Sequence, residues 1–537
     1  MWPSGWRDAA WSRLGRPWDV LVVGGGITGA GILREAARRG LRALLVEQRD
    51  FAWGTSSRSS KLVHGGLRYL KEGKLRLTRA AVAERERLVA EAPGLVERLG
   101  FLLATYEGAR PGSLTYRAGL SLYDLLAVRW SHQSYDPEDF RMLAPHVARR
   151  GLKGGFRFGD AQTDDARLVL RVLAEAVAAG ATALNYAAAE SLIREEGEVA
   201  GVHLADRAQQ RSTEVRASVV INATGAWADR LREELGAAPR IRPLRGSHLT
   251  FPSWRFPMAQ AVTVSHPDDG RPVFFIPWEG VTLIGTTDVD HRAPLDREPA
   301  MTDDELRYLF AAIEAEFPSL GVTPADVMAS FAGVRPVINT GKADPSRESR
   351  DHAVWDEHGL LTVTGGKLTT FRLMALDALK AARRRLPAHR LAGAARALDA
   401  VPADVRLPRS ADGLDEDARR RLLGRYGAAA SRLAATSAPG EMAAIPGTHA
   451  LWAELRWAAR AEAVVHLDDL LLRRVRLGLL LPHGARALLP DVRRLCQREL
   501  GWDDARWEQE ADAYLRTWRD CYSVPAPSGA ARPTARS

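Results

Sequence analysis

Four places in this chain group side chains or turns that could handle an anionic, nucleotide-sized ligand. The first is GGGITG at 24–29, whose glycines at 24, 26 and 29 fit GxGxxG. Gly24 permits a tight turn, Gly26 lets the backbone approach a pyrophosphate, and Gly29 allows close helix–strand packing. The second is TSSRSSKLVHGGLRYL at 55–70, with five hydroxyls beside Arg58, Lys61, His64 and Arg68. Such a density of donors suits a diphosphate or the polar edge of a flavin. The third is the Ala223-Thr224-Gly225 turn in VVINATGAWAD. The fourth is TGGKLTTFRLMA, where Gly365-Gly366 and Lys367 open a helix. Cations and free helix N–H groups there can stabilise negative charge.

The elements that must hold these groups are legible around the first motif. DVLVV at 19–23 reads as a buried parallel strand, GAGILREAARRG as a helix ending at Gly40, and RALLVE at 42–47 as a second strand. Glu47, at that strand's end, is spaced to accept hydrogen bonds from an adenosine ribose. Strand, glycine turn, helix, strand and acid in this order predict a Rossmann-like dinucleotide site. The motif alone does not separate NAD from FAD. FFIPW at 274–278 and VTLIGTTD at 281–288, split by Gly280, predict an antiparallel hairpin.

Composition narrows the rest. The 537 residues are 26% charged and 46% hydrophobic, an ordinary globular balance. Two cysteines, Cys496 and Cys521, exclude a disulfide framework and a thiolate zinc site, and no metal site is expected. The net charge is +9, carried by 68 arginines against seven lysines, which suits anionic substrates or an acidic membrane surface. No zinc-finger, RRM or homeodomain pattern accompanies it, so nucleic acid is not expected. The absence of an 18-residue apolar run and of a leader-like start points to a cytoplasmic chain, soluble or attached peripherally to a membrane. Trp2, Trp6, Trp11 and Trp18 with Arg7, Arg13 and Arg16 suit either a membrane interface or a packing segment.

Eight motifs taken together resemble the FAD-dependent glycerol-3-phosphate dehydrogenases: GGGITGAG (24–31), GTSSRSSKLVHGGLRYL (54–70), DDARLVL (164–170), NATGAWAD (222–229), LRGSH (244–248), GTTD (285–288), AGVRP (332–336) and GGKLTTFR (365–372). Two departures are conservative: Glu35 stands where the family more often has Asp, and Phe371 where it often has Tyr. The resemblance implies an α/β fold, a Rossmann-like FAD-binding domain interleaved with an antiparallel-sheet substrate cap. Residues 17–385 would hold both, with the cap at about 76–154 and 244–344. A linker at 386–412, a helical domain at 413–523 and a disordered tail at 524–537 would follow. Within 451–478 the apolar spacing predicts a core helix pair. That helical domain is left with two readings, a homodimer contact or a membrane contact.

The resemblance also implies oxidation of sn-glycerol 3-phosphate by hydride transfer to FAD, with a membrane quinone as acceptor. Gly24, Gly26, Gly29, Glu47, Thr55, Ser56, Ser57, Ala223, Gly225, Gly366, Lys367, Leu368 and Thr369 would then hold the cofactor. His64, which with Ser60 reproduces the Ser-then-His spacing of related glycerophosphate oxidases, is favoured as the base, and His248 is assigned to substrate binding. Arg335 is a second participant in proton removal. Arg68, Tyr69, Arg335 and Arg350, with Lys367, would line the substrate pocket. The alternative is an oxidase that uses oxygen; some of these carry a long insertion before GGK, whereas 16 residues separate Arg350 from Lys367 here.

Overall fold

The computed structural model describes residues 2–66, 75–108, 112–127, 132–342, 348, 351–387, 398–399, 405 and 407–525. The expected site residues Arg68, Tyr69 and Arg350 lie outside them, as do most of the expected linker and residues 526–537 of the tail.

Seventeen strands form two sheets among the described residues. The first is built on β1 (Trp18–Val23), every residue of which is buried. A strand of apolar residues buried on both faces needs cover above and below, the situation of a parallel sheet. β2 (Ala43–Val46) pairs with β1 in parallel, Val20 opposite Ala43. On the other side β9 (Arg211–Asn222) pairs in parallel, Val20 opposite Val219. The order runs β16 (His352–Glu357), β17 (Leu360–Gly365), β9, β1, β2, β6 (Thr182–Leu184). The meander of β7 (Ala187–Glu195) and β8 (Glu198–Asp206) extends from β9. One face is covered by the helices Ile27–Arg38, Asp165–Ala178 and Phe371–Ala382. The Phe371 ring would lie 2.8 Å from a Cβ placed at Gly31, so a flat ring and a bare glycine make that helix contact possible.

The second sheet holds β3 (Val96–Tyr106), β4 (Gln133–Tyr135), β5 (Leu152–Thr163), β10 (Ile241–Pro252), β11 (Ala261–Ser265), β12 (Pro272–Trp278), β13 (Val281–Gly285), β14 (Val289–Asp290) and β15 (Ala329–Ile338). Its pairings are antiparallel except β3 with β11. The hairpin expected at 274–288 is present as β12 and β13, turning at Glu279 (φ 48°) and Gly280 (φ 89°). β5 stays in this sheet to Thr163, beyond the cap boundary of 154 read from the sequence, because it pairs with β3 along its whole length. One sheet face packs on the helix Asp303–Glu316, and the opposite face on the C-terminal helices.

Those helices include Glu416–Tyr426, Trp452–Ala461, Leu489–Leu500 and Asp504–Cys521. The apolar run at 451–478 is broken after Ala461. The Glu462 carboxylate is gripped by Arg167 at 2.5 and 2.7 Å, and Ala463 adopts φ 54°. The chain resumes as helical turns only after Asp469 accepts the amides of Val465 and His466. The N-terminal tryptophan segment is a packing element: Trp2 and Trp18 are buried, Trp2 Nε1 donates to Ala183 O, and Arg7 donates to Asn185 O. No helix among the described residues is long and apolar enough to cross a membrane.

Candidate active site

A cavity of about 640 Å³ opens between the sheets, at the carboxyl ends of β1, β2, β9 and β17. This is where ligands bind in parallel α/β sheets. Its floor is the glycine turn after β1. Gly24 has φ 113°, and a Cβ there would stand 2.5 Å from Ala223 O. A Cβ at Gly29 would stand 1.9 Å from Gly24 O, so the helix can sit on the turn only if this residue has no side chain. Gly26, the residue before the helix, differs. A Cβ there would meet, within 4 Å, only Ser56, its Oγ at 3.1 Å, and would otherwise project into the cavity. A pyrophosphate can approach this backbone for that reason, so the cradle fits FAD. Ser56 Oγ accepts from the Ile27 amide at 3.0 Å, fixing the loop to the helix start. Glu47 ends β2 with its carboxylate on the Gly25 amide at 2.6 Å and the Arg49 amide at 2.9 Å. Burial pushes its carboxyl up against those two bonds.

His64, Lys367 and Arg335 also line the cavity. His64, half-buried, presents Nε2 at 3.4 Å from Lys367 Nζ. Burial, then the charges of Lys367 and Arg85, hold its pKa well below 6.5. The imidazole is therefore neutral near pH 7 and able to take a proton. Lys367 precedes the turn Leu368–Thr370 that opens the helix Phe371–Ala382, and Thr369 Oγ1 donates to His64 O at 3.4 Å. Arg85, bonded to Asp160 and Tyr123, backs this segment, and Asp160 also accepts the Gly65 amide.

Arg335 enters from β15. Its guanidinium donates to Thr287 O at 3.2 Å, Asp288 Oδ1 at 3.0 Å and Thr286 Oγ1 at 2.7 Å. It lies across Gly246, where a Cβ would be 2.1 Å from it. The motifs LRGSH, GTTD and AGVRP thus converge on one side chain. Gly333 plays the matching part for Arg58, whose carbonyl would stand 2.6 Å from a Cβ there.

Thr55, Ser56, Ala223, Gly225, Gly366, Leu368 and Thr369 line the cavity with Gly24, Gly26 and Glu47. Ser57 does not; it faces away, with its Oγ on Gly54 O at 3.5 Å. His248 lies behind the lining residues. It is 1% exposed, stacked on Phe331 with centroids 4.8 Å apart, and absent from the cavity wall. Strand alternation in β10 sends its ring into the sheet packing, against Gly285. Its Nε2 lies 2.9 Å from Oγ of Ser60, which lines the cavity. Sequence reasoning missed Trp53 and Trp227, which line the cavity with ring centroids 5.8 Å apart, and Arg207 and Arg230. Trp227 lies within the quoted NATGAWAD motif, whereas Trp53, Arg207 and Arg230 lie outside every quoted motif and carry no pattern that would single them out.

Comparison with known proteins bears on the family and the cofactor. The family described as "FAD dependent oxidoreductase" matches residues 19–372, and "C-terminal domain of alpha-glycerophosphate oxidase" matches 384–507. An aerobic glycerol-3-phosphate dehydrogenase of Bacillus subtilis is 40% identical over 377 residues, 69% of this chain and 68% of its own. One from Staphylococcus aureus is 34% identical over 481 residues, covering 85% and 86%. The crystal structure of the Bacillus halodurans glycerol-3-phosphate dehydrogenase complexed with FAD is 31% identical, covers 96% of this chain and 98% of that one, and gives a TM-score of 0.75. By its turn, its cavity and these matches, the chain belongs to the FAD-dependent oxidoreductases, and within them to the glycerol-3-phosphate dehydrogenase family.

Proposed function

We propose that the cavity oxidises sn-glycerol 3-phosphate to dihydroxyacetone phosphate. The carrying observation is His64 Nε2 set 3.4 Å from Lys367 Nζ in the same cavity as the glycine cradle and Arg335. FAD, when bound, supplies the two-electron acceptor for the hydride on C2 of the substrate. His64 takes the proton of the C2 hydroxyl; burial, and then the Lys367 charge, disfavour the imidazolium beforehand. Arg335, held flat by Thr286, Thr287 and Asp288, presents a preset guanidinium to the substrate oxygens. Lys367 adds a second cation for the phosphate. By the family resemblance, Arg68, Tyr69 and Arg350 complete the pocket. Ser57, turned away from the cavity, contributes its backbone to the cofactor loop.

The electrons leave as a pair to a quinone, which places the protein peripherally at a membrane surface, as its +9 charge suits. The sequence division into a flavin domain with interleaved cap, a linker and a helical domain is part of the same reading. Anaerobic addition of glycerol 3-phosphate to the purified holoprotein should bleach the visible flavin band, and a quinone analogue should restore it. An unbleached band refutes the proposal. Rapid return of colour in air with an equivalent of peroxide would replace the quinone by oxygen.

A further inference from the structure

The loop Thr55–Gly65 has two sides. Ser56, Arg58, Ser60 and His64 line the cavity, whereas Ser57 and Lys61 turn away from it. Behind the loop lies a buried knot of charge. Lys61 Nζ, fully enclosed, donates to both oxygens of Asp165 at 2.8 Å and to Ser57 O at 2.6 Å. Asp165 also accepts the Ser59 amide at 2.9 Å and its hydroxyl at 2.7 Å. The remaining member comes from the far end of the chain. Arg476, in the C-terminal helices, donates to Ser57 O at 2.8 Å and Asp165 Oδ1 at 3.0 Å, with its side chain 1% exposed. Its other arm caps Leu472 O at 2.8 Å.

Arg476 is held at φ 67°, a left-handed conformation unfavourable for a residue with a side chain. A buried guanidinium also gives up its hydration, and an apolar residue would serve packing alone at least as well. Both costs fall on a residue that ends on the backbone of the loop carrying Ser60 and His64. A second tether lies next to it. Tyr522, after the last helix, donates to Glu298 and accepts from Arg58, and its carbonyl takes the amide of Ser330 on β15, the strand of Arg335.

We propose that Arg476 is a positioning residue: through Ser57 O and Asp165 it fixes Ser60 and His64 relative to Lys367 and Arg335, making the C-terminal helical domain a working part of the reaction centre. This rests on the oxidation proposed above. The test compares holoprotein variants Arg476→Met and Arg476→Lys with Arg167→Met, whose guanidinium donates to Glu462 and Arg474 O in the same interface rather than to Ser57 O or Asp165. In stopped-flow reduction by glycerol 3-phosphate, Arg476→Met is expected to slow bleaching about 10- to 100-fold at unchanged flavin content, with Arg476→Lys between it and the wild type. Arg167→Met should lower the melting temperature yet keep the rate within about twofold. A wild-type rate in Arg476→Met, or equal slowing in Arg167→Met, overturns the proposal. If Arg476→Met does not fold, Arg476→Lys decides alone: slowing at unchanged melting temperature supports the role and a wild-type rate refutes it. If the wild type itself is not reduced, the oxidation reading fails. The visible circular dichroism of the bound flavin then reports on the loop, perturbed in the Arg476 variants if the inference holds and unaltered if it does not.

Discussion

The three glycines of the turn after β1 look alike in sequence, yet the structure assigns two of them different duties, and alanine at each separates them. At Gly29 the new methyl would stand 1.9 Å from Gly24 O. Atoms this close must part by over an ångström, and the methyl is rigidly fixed to the helix while the oxygen is backbone of a packed turn, so neither yields freely. Overpacking of this kind costs about 1–3 kcal/mol, and the helix preference of alanine over glycine returns at most about 1 kcal/mol. At Gly26 the methyl meets only a serine side chain, with Oγ at 3.1 Å, and the backbone (φ −80°, ψ −174°) suits alanine. The apoprotein should tolerate it within about 0.5 kcal/mol. The methyl does occupy the space next to a bound pyrophosphate, so the same 1–3 kcal/mol is charged to FAD binding, a loss of about 5- to 150-fold. Thermal unfolding of the apoproteins and fluorescence titration with FAD measure the two quantities. Gly29→Ala should lose stability and flavin together; Gly26→Ala should lose flavin alone. Wild-type FAD affinity in Gly26→Ala, or equal destabilisation of the two apoproteins, would refute the reasoning.

Two further outcomes are expected. His64→Asn should keep FAD, whose cradle it does not form, and slow reduction by glycerol 3-phosphate about 10²- to 10⁴-fold, as loss of a general base does; near-normal turnover would remove His64 from that role. Glu316, buried where Tyr106 donates to it at 2.7 Å, has its carboxyl pushed up to about 7 by burial. A carboxyl raised on folding stabilises the protein below its unfolded pKa and loses that contribution as pH rises through the folded value. Glu316→Gln should therefore gain on the order of 2 kcal/mol at pH 8 and little at pH 5, read by urea unfolding at both; an equal change at the two pH values would exclude this cause.

The βαβ start was readable because each of its residues answers a local demand: a buried strand, a turn that excludes side chains, a helix start, an acid at a strand end. The 274–288 hairpin was readable for the same reason, since Glu279-Gly280 is a turn made within its own few residues. His248 marks the boundary of such reasoning. Its motif was visible, but whether the ring faced the cavity or Phe331 depended on strand pairing with β13 and β15, which come later in the chain. A helix pair was expected in 451–478, but the position of its break after Ala461 was hidden likewise, because the partner that holds Glu462 there is Arg167, nearly 300 residues earlier. Periodicity describes a segment by itself and is silent on a buried charge pair made across the fold.

The strand order of the first sheet also bears on how the protein is made. β1 leaves the ribosome before its neighbours β2 and β9, and β9 in turn waits for β17. Trp2 waits longer still, for the carbonyl of Ala461. Pairings this distant in sequence form slowly and leave apolar strands uncovered meanwhile. In the nascent chain Val20–Val23 therefore lack one flank until β9 is made, and the flavin cavity is incomplete until Gly365–Thr369 follow. Low temperature and abundant chaperones during expression follow as practical needs of this topology, whatever the stability of the finished molecule.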